Sequence, residues 1–206
     1  MDAIYFINLE RRKDRLEHIL RELHYQGVNG DSVTRVNAVD GQTLDWNSDK
    51  YGPETRYWNR GALAYCFSWR EIIRSAIRNG HKEIMVLDDD CHFVRRLSEL
   101  ELPEGGWAMV YLGANHNTTY GGSPTPSPYK GFSTLNGSLS SHAIIVRERV
   151  YPALMDFLID PYIPFDCYLS ALQKGLKGEF LLTNPQFAVQ DSLGSDIDLA
   201  KFGDLI

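Results

Sequence analysis

An α/β sandwich on a largely parallel sheet is the fold class the sequence predicts, and three observations predict it. Strand-like and helix-like runs alternate through the first half of the chain. Glu83-Ile-Met-Val-Leu87 is apolar with little alternation, as suits a central parallel strand covered on both faces. That run leads straight into Asp88-Asp89-Asp90, and in open α/β sheets ligands gather beyond the carboxyl ends of strands.

The elements follow in order. Ala3 to Ile7 reads as a short buried strand ending at Asn8. A charged block, Glu10 to Arg15, leads into a helix with Leu16, Ile19, Leu20 and Leu23 on one face. Asp14 and Glu17 have the spacing of a capping box, and Gly27 and Gly30 mark the stop. Ser32 to Val36 is a second strand, closed by a turn at Asp40-Gly41. Gln42 to Arg60 lacks periodicity and reads as a long functional or mobile loop. Gly61 to Asn79 is the strongest helix, with Cys66, Trp69, Ile73, Ala76 and Ile77 sharing a face. Ala108 to Leu112 is another buried strand, ended by Gly113, and Asn115 to Gly137 is a polar surface loop. Ser141 to Val146 reads as a strand, Arg149 to Ile159 and Phe165 to Gln173 as helices, and Glu179 to Leu182 and Phe187 to Val189 as short strands. The tail after Asp191 is polar and acidic, and is expected to be loose. This order puts Asn8, Asn37 to Asp40, Asp88 to Asp90 and Gly113 on one rim.

Composition bounds the function. The 206 residues fit one domain, 1–206, with flexible loops at about 42–60 and 115–137. With 43% hydrophobic and 23% charged residues, wholesale disorder is excluded. A formal net charge of −6 argues against nucleic acid as a partner, though a local basic patch can still bind an anion. Cys66, Cys91 and Cys167 form an odd set without metal-ligand spacing, which reads as reduced, mostly buried packing residues. The first residues carry no basic leader, and no apolar run approaches the ~20 residues of a membrane span. The expected location is the cytoplasm, with any membrane-linked substrate met from the water side at the inner face.

The acidic triplet carries the sharpest chemistry. Three carboxylates at a buried strand end repel one another and resist desolvation. Alternation along an extended chain would turn Asp88 and Asp90 to one site and Asp89 away. Such hard oxygen ligands suit Mg²⁺ or Mn²⁺ bridged to a diphosphate, whereas the plainer reading is a solvated turn with one helix cap. Among Arg11, Arg12 and Arg15, one guanidinium could reach phosphate oxygens, while the rest form a solvated helix face. Asp166 is either a helix N-cap or a carboxylate that takes a proton from an acceptor hydroxyl. His142 reads first as a half-buried structural histidine, and second as a third metal ligand or acceptor contact. Tyr51, Tyr57 and Trp58 either stack on a sugar or pin the long loop.

Together these residues form a known pattern. Ile7-Asn8-Leu9-Glu10-Arg11-Arg12-Lys13-Asp14-Arg15, Val36-Asn37-Ala38-Val39-Asp40-Gly41, the Gly61-to-Ser68 helix and Val86-Leu87-Asp88-Asp89-Asp90 resemble glycosyltransferase family 25. Trp107 to Gly113, Ser141 to Val146, Pro164 to Leu169 and Pro185 to Ser195 resemble its later segments. The resemblance implies a GT-A-type nucleotide-sugar fold, a UDP-sugar donor, Mn²⁺ or Mg²⁺, inversion at the anomeric carbon, and a glycan, glycolipid or protein acceptor. It implies Asp88 and Asp90 as metal ligands and Asp166 as the base. It implies a donor-binding set of Asn8, Leu9, Asn37 and Asp40 near base and ribose, Arg12 and Arg15 near the phosphates, and Gly61 and Asp89.

Two departures stand out. The family usually has Glu where this chain has Asp88, and Ser-His where it has Ser68-Trp69. The second keeps open a binding or scaffold module that kept the fold and lost turnover. A nucleotidyltransferase would share such a sheet, but the Asn8-to-Arg12 segment lacks the Gly-rich loop those enzymes carry.

Overall fold

In the first strand every side chain is buried, yet on alternating faces: Ala3, Tyr5 and Ile7 join one core, Ile4 and Phe6 the other. This period-two split is what makes a strand the middle of three layers. The structure, a computed structural model, describes residues 1–28, 30–44, 60–115, 122–194 and 196. Its strands are β1 (Ala3–Asn8), β2 (Val33–Asn37), β3 (Glu83–Asp88), β4 (Cys91–Phe93), β5 (Met109–Tyr111), β6 (Thr125–Pro126), β7 (Phe132–Thr134), β8 (Ala143–Arg147), β9 (Phe180–Thr183) and β10 (Ala188–Gln190). Its α-helices are α1 (Lys13–Tyr25), α2 (Arg60–Arg78), α3 (Tyr151–Ile159) and α4 (Phe165–Gly175).

The main sheet has the order β2-β1-β3-β8-β5-β9-β7-β6. β1 pairs parallel with β2 and β3, and β5 with β9. β8 lies antiparallel between β3 and β5, and β7 antiparallel between β9 and β6. Six of the eight strands therefore run the same way, with β8 and β7 reversed, so the sheet is parallel over β2-β1-β3 and β5-β9 and antiparallel around the two reversed strands. Residues of α2, α3 and α4 cover one face around Trp69, Leu63 and Phe165. Residues of α1 and of the β4–β10 ribbon cover the other around Ile19, Trp107 and Phe187. Each such fully buried side chain contributes about 1.5–3 kcal/mol.

The register aligns the rim. Asn8 pairs with Asn37, and Ile7 pairs with Asp88. The carboxyl ends of β1, β2 and β3 thus reach one edge.

Several expectations are corrected by packing. The Asn115 to Gly137 loop contains the short pair β6 and β7, which extends the sheet past β9. β4 was not foreseen; it forms where the chain turns back after Asp90 and pairs with β10. In α1, Leu20 is 48% exposed, while Arg15, His18 and Glu22 are buried beside Ile19 and Leu23. In α2, Ile77 is exposed and Ile72 takes the buried place. No capping box forms: Arg12 is the N-cap of α1 and makes no side-chain cap bond, and Asp14 pairs with Arg12 instead. Cys167 is exposed, so packing accounts for Cys66 and Cys91 alone. Most of the 42–60 loop, with Tyr51, Tyr57 and Trp58, lies outside the described residues. Among the described residues no helix is long and apolar enough to cross a membrane.

Candidate active site

The extended backbone of β3 stops at Asp88, and a turn begins at Asp89. Strict alternation therefore ends at Asp88, and Asp88 and Asp90 meet different partners while staying close enough for the Asp90 charge to raise Asp88. Asp88 faces α2, where it accepts the Tyr65 hydroxyl at 2.9 Å. Asp89 and Asp90 both turn to α1 and share Arg15: Nη1 donates to Asp89 Oδ1 at 2.7 Å and Nη2 to Asp90 Oδ2 at 2.9 Å. Asn8 Nδ2 donates to the second Asp89 oxygen at 2.7 Å. Gln190 Nε2, from β10, donates to Asp90 Oδ2 at 3.1 Å. Burial pushes the Asp88 carboxyl well above the usual carboxylate range, and the Asp90 charge adds to it. Burial also raises Asp89, against the pull of Asn8 and Arg15.

The stripe Arg15, His18, Glu22 explains why α1 lies where it does. These residues recur on one helical face. His18 Nε2 meets the Cys91 carbonyl at 3.0 Å, and Glu22 accepts the Phe93 N–H at 3.0 Å. The polar stripe thus satisfies β4 and the turn before it. Its spacing was readable in the sequence, behind the apolar one.

Tyr65 was missed because it sits on α2 among apolar residues. Its hydroxyl oxygen also lies 2.8 Å from Ser141 Oγ. Trp69, one turn further on, is fully buried and packs on Phe165 at 4.5 Å between ring centroids. Its indole Nε1 is buried and makes no well-formed hydrogen bond among the described residues, though it approaches the Tyr65 hydroxyl. Ser68 accepts the Val39 N–H at 3.0 Å and so holds the Asn37-to-Asp40 segment against α2. Gly41 passes so close that an added Cβ would lie 2.8 Å from Gly61 N.

The basic block is mostly occupied by carboxylates. Arg11 donates to Asp40 at 2.8 Å and meets Asp196 at 2.7 Å. Arg12 pairs with Asp14 and Asp196 and donates to the Leu193 carbonyl at 2.8 Å. The tail expected to be loose is held across this block through Asp196, at its described positions. Arg11 in turn keeps the Asp40 carboxyl below its ordinary value. Asn37 is exposed, and Leu9 and Gly61 are half-buried. Asp166 lies in the first turn of α4, where its Oδ1 accepts the Cys167 N–H at 2.8 Å. The neighbouring Phe165 ring lies 6.2 Å from that of Tyr65. His142 is buried, with Nδ1 2.7 Å from Ser140 Oγ, and burial lowers its pKa.

Two features fit a hard divalent cation. Asp90 Oδ1 is buried without a hydrogen-bond partner among the described residues, and the Asp88 carboxyl carries the electrostatic burden of a close acidic neighbour. Among the described residues no group of three or more His, Cys, Asp or Glu converges on one point. The chain would therefore offer one or two carboxylates, leaving phosphate oxygens and water to complete the shell, as Mg²⁺ is commonly held.

Procollagen galactosyltransferase 2 of Mus musculus is 29% identical over 135 residues, covering 54% of this chain and 20% of that protein. The inactive glycosyltransferase 25 family member 3 of Homo sapiens is 26% identical over 133 residues, covering 54% and 22%. The chain thus spans about a fifth of the length of these relatives. A glycosyltransferase involved in glycosylation of the major capsid of PBCV-1 matches over 98% of both chains, at a TM-score of 0.50 and 11% identity, a likeness of fold. The model of glycosyltransferase family 25 (LPS biosynthesis protein) matches residues 1–114, more than half of the chain, and the chain belongs to that family.

Proposed function

We propose that the protein is an inverting glycosyltransferase that moves a hexose from a UDP-sugar to a hydroxyl on a glycan, glycolipid or protein. The observation that carries this reading is the acidic turn after β3, held at the same edge as Asn8 and Asn37 in a chain of this family. The procollagen galactosyltransferase relatives favour galactose as the sugar, with glucose next. Asp88 and Asp90 would hold Mn²⁺ or Mg²⁺. When bound, that ion neutralises charge on the leaving diphosphate.

The chain's own residues do the rest. Arg11 and Arg12 meet the phosphates once Asp196 yields its place. The Asn37-to-Asp40 segment, fixed by Ser68, lines the base and ribose. Asp166 takes the proton from the acceptor hydroxyl as its oxygen bonds to the anomeric carbon and the bond to UDP breaks. Attack opposite the leaving group inverts that carbon.

Trp69 supports a second reading. It fills with a buried indole the place where the family usually has a histidine, and one relative is named inactive. In that reading the protein binds a nucleotide-sugar without turning it over. Calorimetric titration of UDP, with and without Mn²⁺, into wild type and an Asp88→Ala/Asp90→Ala variant tests the site. Metal-dependent binding that the variant loses supports it, and a folded wild type blind to UDP overturns it. Release of hexose from UDP-galactose or UDP-glucose then separates the enzyme from the scaffold.

A further inference from the structure

We infer that Arg15 is the positioning residue of the acidic turn, and that it presents Asp90 through a single open oxygen. The inference rests on the reading of Asp90 as a metal ligand and adds the group that makes it one.

Arg15 is the third residue of α1 and a buried cation, its side chain 11% exposed. A buried guanidinium needs fixed partners, and its planar fork suits two carboxylates at once. Here the fork reaches across the turn, one arm on Asp89 and one on Asp90. The second arm also donates to the Gly194 carbonyl at 2.7 Å. Both terminal nitrogens of Arg15 are thus engaged by the acidic turn and Gly194, and its Nε is buried without a hydrogen-bond partner among the described residues, whereas Arg11 and Arg12 share Asp196 on the tail.

The oxygens can then be accounted for one by one. Asp89 Oδ1 takes Arg15 and Asp89 Oδ2 takes Asn8, so Asp89 is fully occupied as an anchor. Asp90 Oδ2 takes Arg15 and Gln190. Of these four oxygens Asp90 Oδ1 is left, buried and without a hydrogen-bond partner among the described residues. With all three carboxylates ionised, Arg15 leaves the turn two net negative charges, which one divalent cation balances. The open oxygen is a consequence of the fork: it holds both carboxylates in one orientation and keeps Asp90 from turning.

The test titrates Mn²⁺ alone into wild type, Arg15→Lys and Gln190→Ala, and then UDP at saturating Mn²⁺. Lysine keeps the charge and loses the fork. Loss of an orienting partner commonly weakens metal binding about 10- to 100-fold. Arg15→Lys should weaken Mn²⁺ binding by such a factor, and Gln190→Ala by less, with UDP affinity at saturating Mn²⁺ kept. Unchanged Mn²⁺ affinity with weakened UDP binding would make Arg15 a phosphate ligand and overturn the inference. Where wild type binds Mn²⁺ only in the presence of UDP, the same comparison is made at saturating UDP, and an Mn²⁺ affinity unchanged in Arg15→Lys there overturns the inference. No Mn²⁺ binding with or without UDP would remove both. Should Arg15→Lys fail to fold, Gln190→Ala decides: weaker Mn²⁺ binding supports the inference, and unchanged binding overturns it.

Discussion

Tyr65 donates its hydroxyl hydrogen to Asp88 at 2.9 Å, and its oxygen lies 2.8 Å from Ser141. One hydroxyl hydrogen cannot serve both, so Ser141 is the donor to Tyr65. The chain Ser141–Tyr65–Asp88 ties α2 to the end of β3 and lowers the pKa that burial raises at Asp88. Tyr65→Phe should cost about 1–3 kcal/mol, the loss expected for a hydrogen bond to a carboxylate. Chemical denaturation would read it, and metal-dependent UDP binding should weaken with it. A variant as stable as wild type would show that Asp88 is held by other contacts.

Gly113 sits where β5 meets the β10 strand. An added Cβ would lie 2.0 Å from the Ala188 carbonyl oxygen and 2.5 Å from His142 Nε2. The Ala188 backbone is tied to Leu112 and paired to β4, so it cannot yield cheaply. Gly113→Ala should destabilise the fold by about 1–3 kcal/mol or more, as overpacked cores do. Thermal unfolding within error of wild type would contradict this packing.

Asp196 occupies Arg11 and Arg12. Asp196→Asn should release the one arm it holds on each guanidinium, with Arg11 still on Asp40 and Arg12 still on Asp14, and tighten UDP binding several-fold, an effect that fades at high salt. Ion pairs of this partly exposed kind are worth about 0–1 kcal/mol, so stability should barely move. Weaker UDP binding would instead place the tail carboxylate on the side of the ligand.

Asp2 fastens the first residues to β3. Its carboxylate accepts the N–H groups of Lys82 at 2.6 Å and Glu83 at 3.1 Å, and these bonds lower its pKa. The folded protein thus binds this proton less readily than the unfolded chain. The stability it contributes is complete above the unfolded carboxylate pKa and is lost as pH falls through the folded one. Asp2→Ala should therefore be less stable than wild type at neutral pH, with the gap closing on acidification below about pH 4. Denaturation midpoints taken across that range would check it; a gap that stays constant would rule Asp2 out as its source.

Much of the molecule was legible before any coordinates. Glu83 to Leu87 is a central strand, buried at Ile84 through Leu87, because continuous apolar residues have no solvent face to offer. The rim of Asn8, Asn37 and Asp88 follows from parallel strands of matched ends. Local patterns failed where a second side competed. Leu20 has the helical spacing of its neighbours yet is exposed, because the polar stripe of Arg15, His18 and Glu22 took the inner face. The β6–β7 pair hid inside a stretch rich in Gly, Ser and Pro, since pairing at the end of a sheet rests on backbone groups and needs no apolar pattern.

By itself the sequence determined the layered α/β class, the central strands and the acidic turn, because apolar periodicity and strand ends are properties of short stretches of chain. Only the tertiary structure decided which carboxylate meets which partner. Arg15 lies 74 residues from Asp89, and Gln190 lies 100 from Asp90. Such pairs are chosen by the packing of α1 and the β4–β10 ribbon on the sheet, and no local pattern encodes them.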